Sequence, residues 1–325
     1  MQSLNLTQTK KFSVSPITPF HFDGTFHKPS HFPNKLKLNV WEPGKYWQPL
    51  RIDENLFAFK IENDGTILKP KLEITIYSEK NLTDKEVERL KQEIIWRFEL
   101  NTDFSEFHKL AKKDKKFYPV FKKWMGMRSP SQYTLYELLI IAIVLQNATV
   151  RRSQQMLDAL LAMFGTKIKF DNKELWAIWH PKDLEKVSEQ ELRDLKIGYR
   201  AKFIKRLSQD FANGIIDELE LRDSDKETAK IQLNKLYGVG PETARILLFE
   251  VFHHYDVFDH IALWQQKIYS HLFYGKELVS VQRTIRDIKK QYGKYAMLAV
   301  HYIWEDVFWK RKNEHIPWLE KEIRL

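Results

Sequence analysis

Leu233-Asn234-Lys235-Leu236-Tyr237-Gly238-Val239-Gly240-Pro241-Glu242-Thr243-Ala244, with Val257-Phe258-Asp259 downstream, is the segment from which the remainder of the chain can be interpreted. Two glycines around one apolar residue predict a helix, a tight hairpin using backbone angles closed to other residues, and a second helix. Pro241 falls where a first helical turn accepts proline. The amides of that turn lack intrahelical acceptors and suit an anion. Asp259 follows an apolar pair and precedes a helix expected over 261–268, so it is placed to face whatever the hairpin holds. A plain helix N-cap is the structural alternative for Asp259, and Asp256 is the competing carboxylate.

The chain has 325 residues, 43% hydrophobic and 30% charged, enough for two or three compact domains. Without cysteine it cannot form disulfides, an iron–sulfur cluster or zinc–thiolate sites. No apolar run reaches membrane-spanning length, which makes the cytoplasm the default compartment, at the nucleoid in a prokaryote. A net charge of +10 fits a polyanionic partner such as nucleic acid. Aromatic residues make up 14%, including ten Trp; most must be core, but a pocket for a nucleobase needs such faces.

The first hundred residues read as a small β-rich domain. Lys35–Val40 and Lys71–Tyr77 alternate polar and apolar residues, and Phe57–Ile61 with the turn Asn63-Asp64-Gly65 fits a hairpin. Pro16, Pro19, Pro29, Pro33 and Pro43 divide this half into short pieces. Thr83-x-x-Glu86 opens a helix running to about Phe98. From Asp103 the chain reads as helix after helix. Tyr133–Leu145, almost continuously apolar, is expected to be a central buried helix. Further helices are expected over Arg152–Phe164, Lys173–Trp179, Glu189–Asp194, Arg200–Asn213, Ser224–Tyr237, Thr243–His253, Ala262–Phe273, Val281–Gln291 and Tyr295–Lys310. The basic runs 112–116 and 122–123 read as solvated helix faces.

Four ordered segments together resemble one superfamily. They are Gly126-Met127-Arg128 with Glu137 and Gln146–Val150; Leu195–Ile204; the glycine hairpin with Asp259; and Gly293–Leu298 continuing to Trp304. They are similar to the helix-hairpin-helix DNA glycosylases, of the 3-methyladenine glycosylase II and 8-oxoguanine glycosylase branches. The likeness covers most of residues 100–310. It implies an α+β protein: a small antiparallel β-sheet domain over 1–100, then two mostly helical subdomains, one about 130–230, the other 101–129 plus 231–325. It also implies base excision repair on damaged double-stranded DNA by a monomer that flips a base from the duplex.

On that resemblance Asn147 fills the hole left by the flipped nucleotide, Tyr199 wedges the flanking step, and Arg200 meets the widowed base. Arg152 is either a DNA contact or an ordinary surface charge. Gly238, Val239, Gly240 and Thr243 grip one phosphate through main-chain amides. The carbonyls of Leu236–Gly240 can hold a monovalent cation; no other cofactor and no side-chain metal site is implied. Asp259 stabilises the positive charge that builds on the sugar and orients water. Glu242 stands where bifunctional relatives carry a lysine that forms a Schiff base. The resemblance therefore implies a monofunctional, water-using enzyme without AP lyase activity.

Residues 297, 300, 301 and 304 share one helix face. Met297, Val300, His301 and Trp304, with Glu242 and Ile246, are the expected base pocket, and Phe20, Phe22 and Phe26 are candidates to close it. Val300 replaces a glutamine that reads guanine in the 8-oxoguanine branch. An aromatic, weakly specific pocket points to a cationic alkylated purine. An oxidised or deaminated base is the alternative, and a lesion-binding protein without catalysis is the rival of another class.

Overall fold

The computed structural model describes residues 2–27 and 35–323; Pro29 and Pro33 lie outside them. Strands β1 (Gln2–Asn5) and β2 (Gln8–Val14) are followed by a short helix α1 (Phe22–Phe26), then β3 (Val40–Glu42), β4 (Lys45–Ile52), β5 (Asn55–Asn63) and β6 (Leu72–Ser78). The larger sheet has the order β2-β6-β5-β4-β3 and is antiparallel throughout. Pairing of Phe59 with Ile76 and of Ile61 with Ile74 puts a continuous apolar set on one face. That set packs with Leu90 and Ile94 of helix α2 (Asp84–Arg97). Thr83 and Glu86 form the expected reciprocal cap of α2.

The helical part contains α3 (Ser105–Lys113), α4 (Tyr118–Lys123), α5 (Leu135–Leu145) and α6 (Val150–Phe164), then strands β7 (Thr166–Phe170) and β8 (Lys173–Ala177). It continues with α7 (Glu189–Asp194), α8 (Arg200–Ala212), α9 (Glu218–Arg222), α10 (Lys226–Lys235), α11 (Pro241–Glu250), α12 (Leu263–Tyr269), α13 (Val281–Tyr292), α14 (Ala296–Asn313) and α15 (Pro317–Glu322). The mixed α+β class read from the sequence holds.

Two segment readings need correction. The expected helix over 173–179 is strand β8, joined to β7 by Asp171 and Asn172, both with positive φ. Such a two-residue turn suits a hairpin, and the Asp-Asn pair is its signal in the sequence. The N-terminal strand β1 adds to β7 in parallel, making a second sheet of order β1-β7-β8. Conversely, residues 35–39 are not a strand: Leu38 is buried in a helical core, and the Trp176 amide donates to the Lys37 carbonyl at 2.9 Å. Alternating burial there serves helix packing rather than a ladder.

Two helical cores flank the site. One collects α5, α6 and α8 and also takes in α10 and α11; the other collects Phe104–Met127 with residues 258–323. Met297 and Tyr255 pack against both. Helix α5 is apolar nearly all round because it lies at the centre of the first core. The N-terminal domain is clasped to this part through Glu93, which accepts from Arg222 Nη1 at 2.7 Å while Arg222 stacks on Trp96 at 3.6 Å. Burial raises the Glu93 carboxyl, but Arg97 and Arg222 outweigh it and bring it down to about 2.

Candidate active site

The hairpin joins α10 to α11 as read. Gly238 has φ +88°, and a Cβ added there would meet the Phe203 ring at 2.8 Å. Gly240 is different: its φ of −92° is open to any residue, and a Cβ would have no neighbour within 4 Å. Only Gly238 is therefore required by backbone geometry; at Gly240 the surface lies open. The Val239 amide donates to the Leu236 carbonyl at 3.1 Å, so it is used within the turn and is not available to grip a phosphate. The amides of Gly240, Glu242 and Thr243 remain at the first turn of α11, without intrahelical acceptors. The Gly238 carbonyl accepts from Gln146 Nε2 at 2.9 Å. Each carbonyl keeps a second lone pair, so the Leu236–Gly240 backbone is compatible with a monovalent cation.

Beside the hairpin lies the loop after α5. Asn147 is exposed with φ +47°, and its Nδ2 donates to the Tyr199 hydroxyl at 3.4 Å. Tyr199 is 42% exposed and donates to the Gln146 carbonyl at 3.4 Å. Its ring meets Phe203 edge-on, and Phe203 meets Tyr237 in the same way, so an aromatic row links loop and hairpin. Arg200 is 7% exposed. Its Nε donates to the Ile143 carbonyl at 3.1 Å, and its Nη2 donates to the Gln146 carbonyl. The guanidinium thus caps carbonyls at the C-terminus of α5, where a cation is favoured; that of Ile143 also accepts from the Gln146 amide at 3.3 Å. It does not stand at the surface where a partner base would be met. Arg152 likewise donates to the Lys196 carbonyl, and to Gln155 Oε1 at 3.2 Å, tying the start of α6 to the turn before α8.

Asp259 lines a cavity of about 530 Å³ with Lys226, Glu242, Arg245, Asp256 and His260. Helix α12 is capped by Ala262, so Asp259 is not an N-cap. The other carboxylates are paired. Asp256 accepts from Lys226 Nζ at 2.6 Å, and Glu227, on the same wall, lies 3.9 Å from that ammonium. Glu242 accepts from Arg245 Nε at 3.1 Å and also from Nη2. Burial pushes the Glu242 carboxyl up, but Arg245 and His260 outweigh it and hold it below the usual range. Among the described residues the Asp259 side chain has no hydrogen bond or ion pair.

No α14 residue is among those lining this cavity, although Met297 of α14 touches Arg245, which does line it. Val300 is 1% exposed and belongs to the second core, so it cannot touch a base. Met297 is half-buried between the two cores, and His301 is half-buried against the Phe249 ring at 5.5 Å. Trp304 donates to the Tyr269 hydroxyl and stands 5.3 Å from the Trp264 ring. Ile246 is half-buried one turn along α11. Phe20, Phe22 and Phe26 are core residues of the N-terminal domain, 2–3% exposed, and do not close the site. Three further residues belong beside these. Arg245 and Trp264, the latter 49% exposed, have signals in their spacing from Glu242 and Asp259; Gln146 stands in the Gln146–Val150 segment, but nothing there signals its bond to the hairpin.

Among the described residues no group of three or more His, Asp or Glu could hold a metal ion, and no helix is long and apolar enough to cross a membrane.

No protein-family model matches the chain. A DNA-3-methyladenine glycosylase of Bacillus subtilis (strain 168) is 24% identical over 168 residues, 50% of this chain and 55% of that protein. The match thus spans about half the length of that relative. The structure is similar to a 3-methyladenine DNA-glycosylase from Archaeoglobus fulgidus, with a TM-score of 0.73, 16% identity, and 94% of this chain and 100% of that chain covered. It is also similar to Clostridium acetobutylicum 8-oxoguanine glycosylase/lyase in its apo-form, with a TM-score of 0.65, 18% identity, and 92% and 99% covered. That enzyme in complex with double-stranded DNA containing cytosine opposite 8-oxoG matches with a TM-score of 0.65, 18% identity, and 95% and 99% covered. The fold is the one these DNA glycosylases share.

Proposed function

We propose that this protein is a DNA glycosylase that hydrolyses the N-glycosidic bond of a damaged, flipped nucleotide with Asp259. The observation that carries the reading is Asp259 itself, an unpaired carboxylate in a cavity whose other carboxylates are each held by a cation. Breaking the bond builds positive charge on the sugar, and an uncommitted carboxylate there lowers the barrier. The amides of Gly240, Glu242 and Thr243 anchor a phosphate, while Asn147 and Tyr199 enter the duplex. Arg200 and Arg152 act by holding the loops that carry them. A monovalent cation on the hairpin carbonyls would draw the phosphate closer.

The reaction is hydrolytic. Glu242, at the position of the Schiff-base lysine, cannot form one, and of the lysines lining the cavity, Lys226, Lys230 and Lys289, the one beside Asp256, Lys226, is kept protonated by its hydrogen bond to that carboxylate. Duplexes carrying single defined lesions, heated in alkali after incubation with wild type or Asp259→Asn, test this. Base release by wild type alone supports it. Release of no base from any duplex leaves only a lesion-binding protein, and a borohydride-trapped adduct would overturn the hydrolytic claim. For the substrate, the 3-methyladenine glycosylases among the relatives support an alkylated purine. One observation, a guanidinium within the site, favours an oxidised or deaminated base instead.

A further inference from the structure

We infer that Arg245, oriented by Glu242, is the specificity-determining residue of this site and selects uncharged bases with a carbonyl edge over cationic alkylated ones. The inference rests on the reading that the cavity beside Asp259 receives a flipped base. Arg245 is 9% exposed and lines that cavity. It lies one turn into α11, three residues after Glu242. Its Nε and Nη2 are both taken by the Glu242 carboxylate, which fixes the plane of the guanidinium. The opposite edge is Nη1, whose partner is Met297 Sδ at 3.5 Å. A thioether is a weak acceptor, and a guanidinium has five N–H donors and no acceptor. Nη1 therefore presents donors whose present partner is poor, in a buried place where an unmet donor is costly.

Position makes this edge relevant to a base. Met297 is the α14 residue that packs against both helical cores. Arg245 is also close enough for its charge to act on Tyr269, whose hydroxyl accepts from Trp304. The guanidinium thus bridges the carboxylate cavity and the aromatic group formed by Trp264, Tyr269 and Trp304. Val300 is sealed in the core, so α14 offers no polar side chain at that point. Arg245 of α11 is the donor that both lines the cavity and touches α14. A carbonyl oxygen or an unprotonated ring nitrogen accepts from Nη1 in place of the thioether. A base carrying a positive charge meets a cation that has no acceptor to offer.

Single-turnover release is measured on duplexes carrying one hypoxanthine, one 8-oxoguanine or one 7-methylguanine, each relative to its spontaneous loss. Wild type, Arg245→Met and Arg245→Lys are compared, with thermal midpoint and affinity for an abasic-site duplex as controls. Wild type is expected to accelerate release of a carbonyl-bearing neutral base more than that of 7-methylguanine. Arg245→Met should lose roughly ten- to hundredfold on the neutral base, keep or gain rate on 7-methylguanine, and bind the abasic duplex as before. Arg245→Lys, which keeps the charge but not the fork, should still disfavour 7-methylguanine and serves where the Met variant does not fold. Equal losses on both kinds of base, or a wild-type preference for 7-methylguanine, overturn the inference and leave the glycosylase reading standing. Release of none of the bases overturns both.

Discussion

The side-chain amide of Gln146 donates to the main-chain carbonyl of Gly238 at 2.9 Å, across 92 residues of sequence. It joins the loop that carries Asn147 to the hairpin proposed to anchor phosphate, so the two elements are held in a fixed relation to each other. Losing one such bond costs about 1 kcal/mol. Gln146→Leu is therefore expected to weaken binding to an abasic-site duplex roughly fivefold, seen in an anisotropy titration, with little change in thermal midpoint. Unchanged affinity would mean that the two elements act independently.

Substitutions at Asp259 and Asp256 test which carboxylate serves the chemistry. Asp259→Asn should slow base release by roughly a hundred- to a thousandfold, as loss of one electrostatic stabiliser does, while duplex affinity is retained. Asp256 is committed to Lys226, so Asp256→Asn should stay within roughly threefold of wild type because its pair is half-exposed. Single-turnover kinetics on the same lesion duplex decide between them, and comparable losses from both changes would move the chemistry away from Asp259.

The parts of this protein that were legible in its sequence are those set by local chemistry. Gly238 needs its left-handed φ, Pro241 starts a helix, Thr83 with Glu86 caps another, and the even apolar surface of Leu135–Leu145 demands burial. What depends on a distant partner was not legible. The charge of Arg200 is visible in the sequence, but the carbonyls of Ile143 and Gln146 that take it up are not. Val300 shares a helix face with Trp304, yet packing against the second core seals Val300 and leaves Trp304 half-open. Lys173–Trp179 carries apolar residues that suit helix or strand, and pairing with β7 decided for strand.

The two hairpin glycines should fail in different ways. At Gly238 an added methyl meets both an unfavourable φ and the Phe203 ring. Gly238→Ala should cost about 1–3 kcal/mol of stability, read from urea unfolding. At Gly240 the φ is ordinary and the space is open. Gly240→Ala should leave unfolding unchanged and lower duplex affinity, because the methyl group stands where the phosphate backbone would approach. An unfolding midpoint lowered equally by both changes would contradict this assignment.

Acid is expected to destabilise the fold through His253. Burial lowers its imidazole to about 3, and the charges of Arg222 and His254 add to the effect. The 4.0 Å approach of Glu99 is therefore not an ion pair at neutral pH. His108 is brought down to about 4 by burial first and then by Arg128 and Lys112. In the unfolded chain both titrate near an ordinary 6.5, so between that value and the folded one the unfolded state binds more protons. The stability these neutral imidazoles allow is fully present above about pH 6.5 and is lost as pH falls, by about 2 kcal/mol each at pH 5. His253 has φ +57°, which asparagine tolerates. His253→Asn gives up the stacking on Trp96 at every pH, so the informative quantity is the difference between unfolding free energies at pH 7 and pH 5. That difference should shrink by about 2 kcal/mol in the variant; an unchanged difference would place the acid sensitivity elsewhere in the chain.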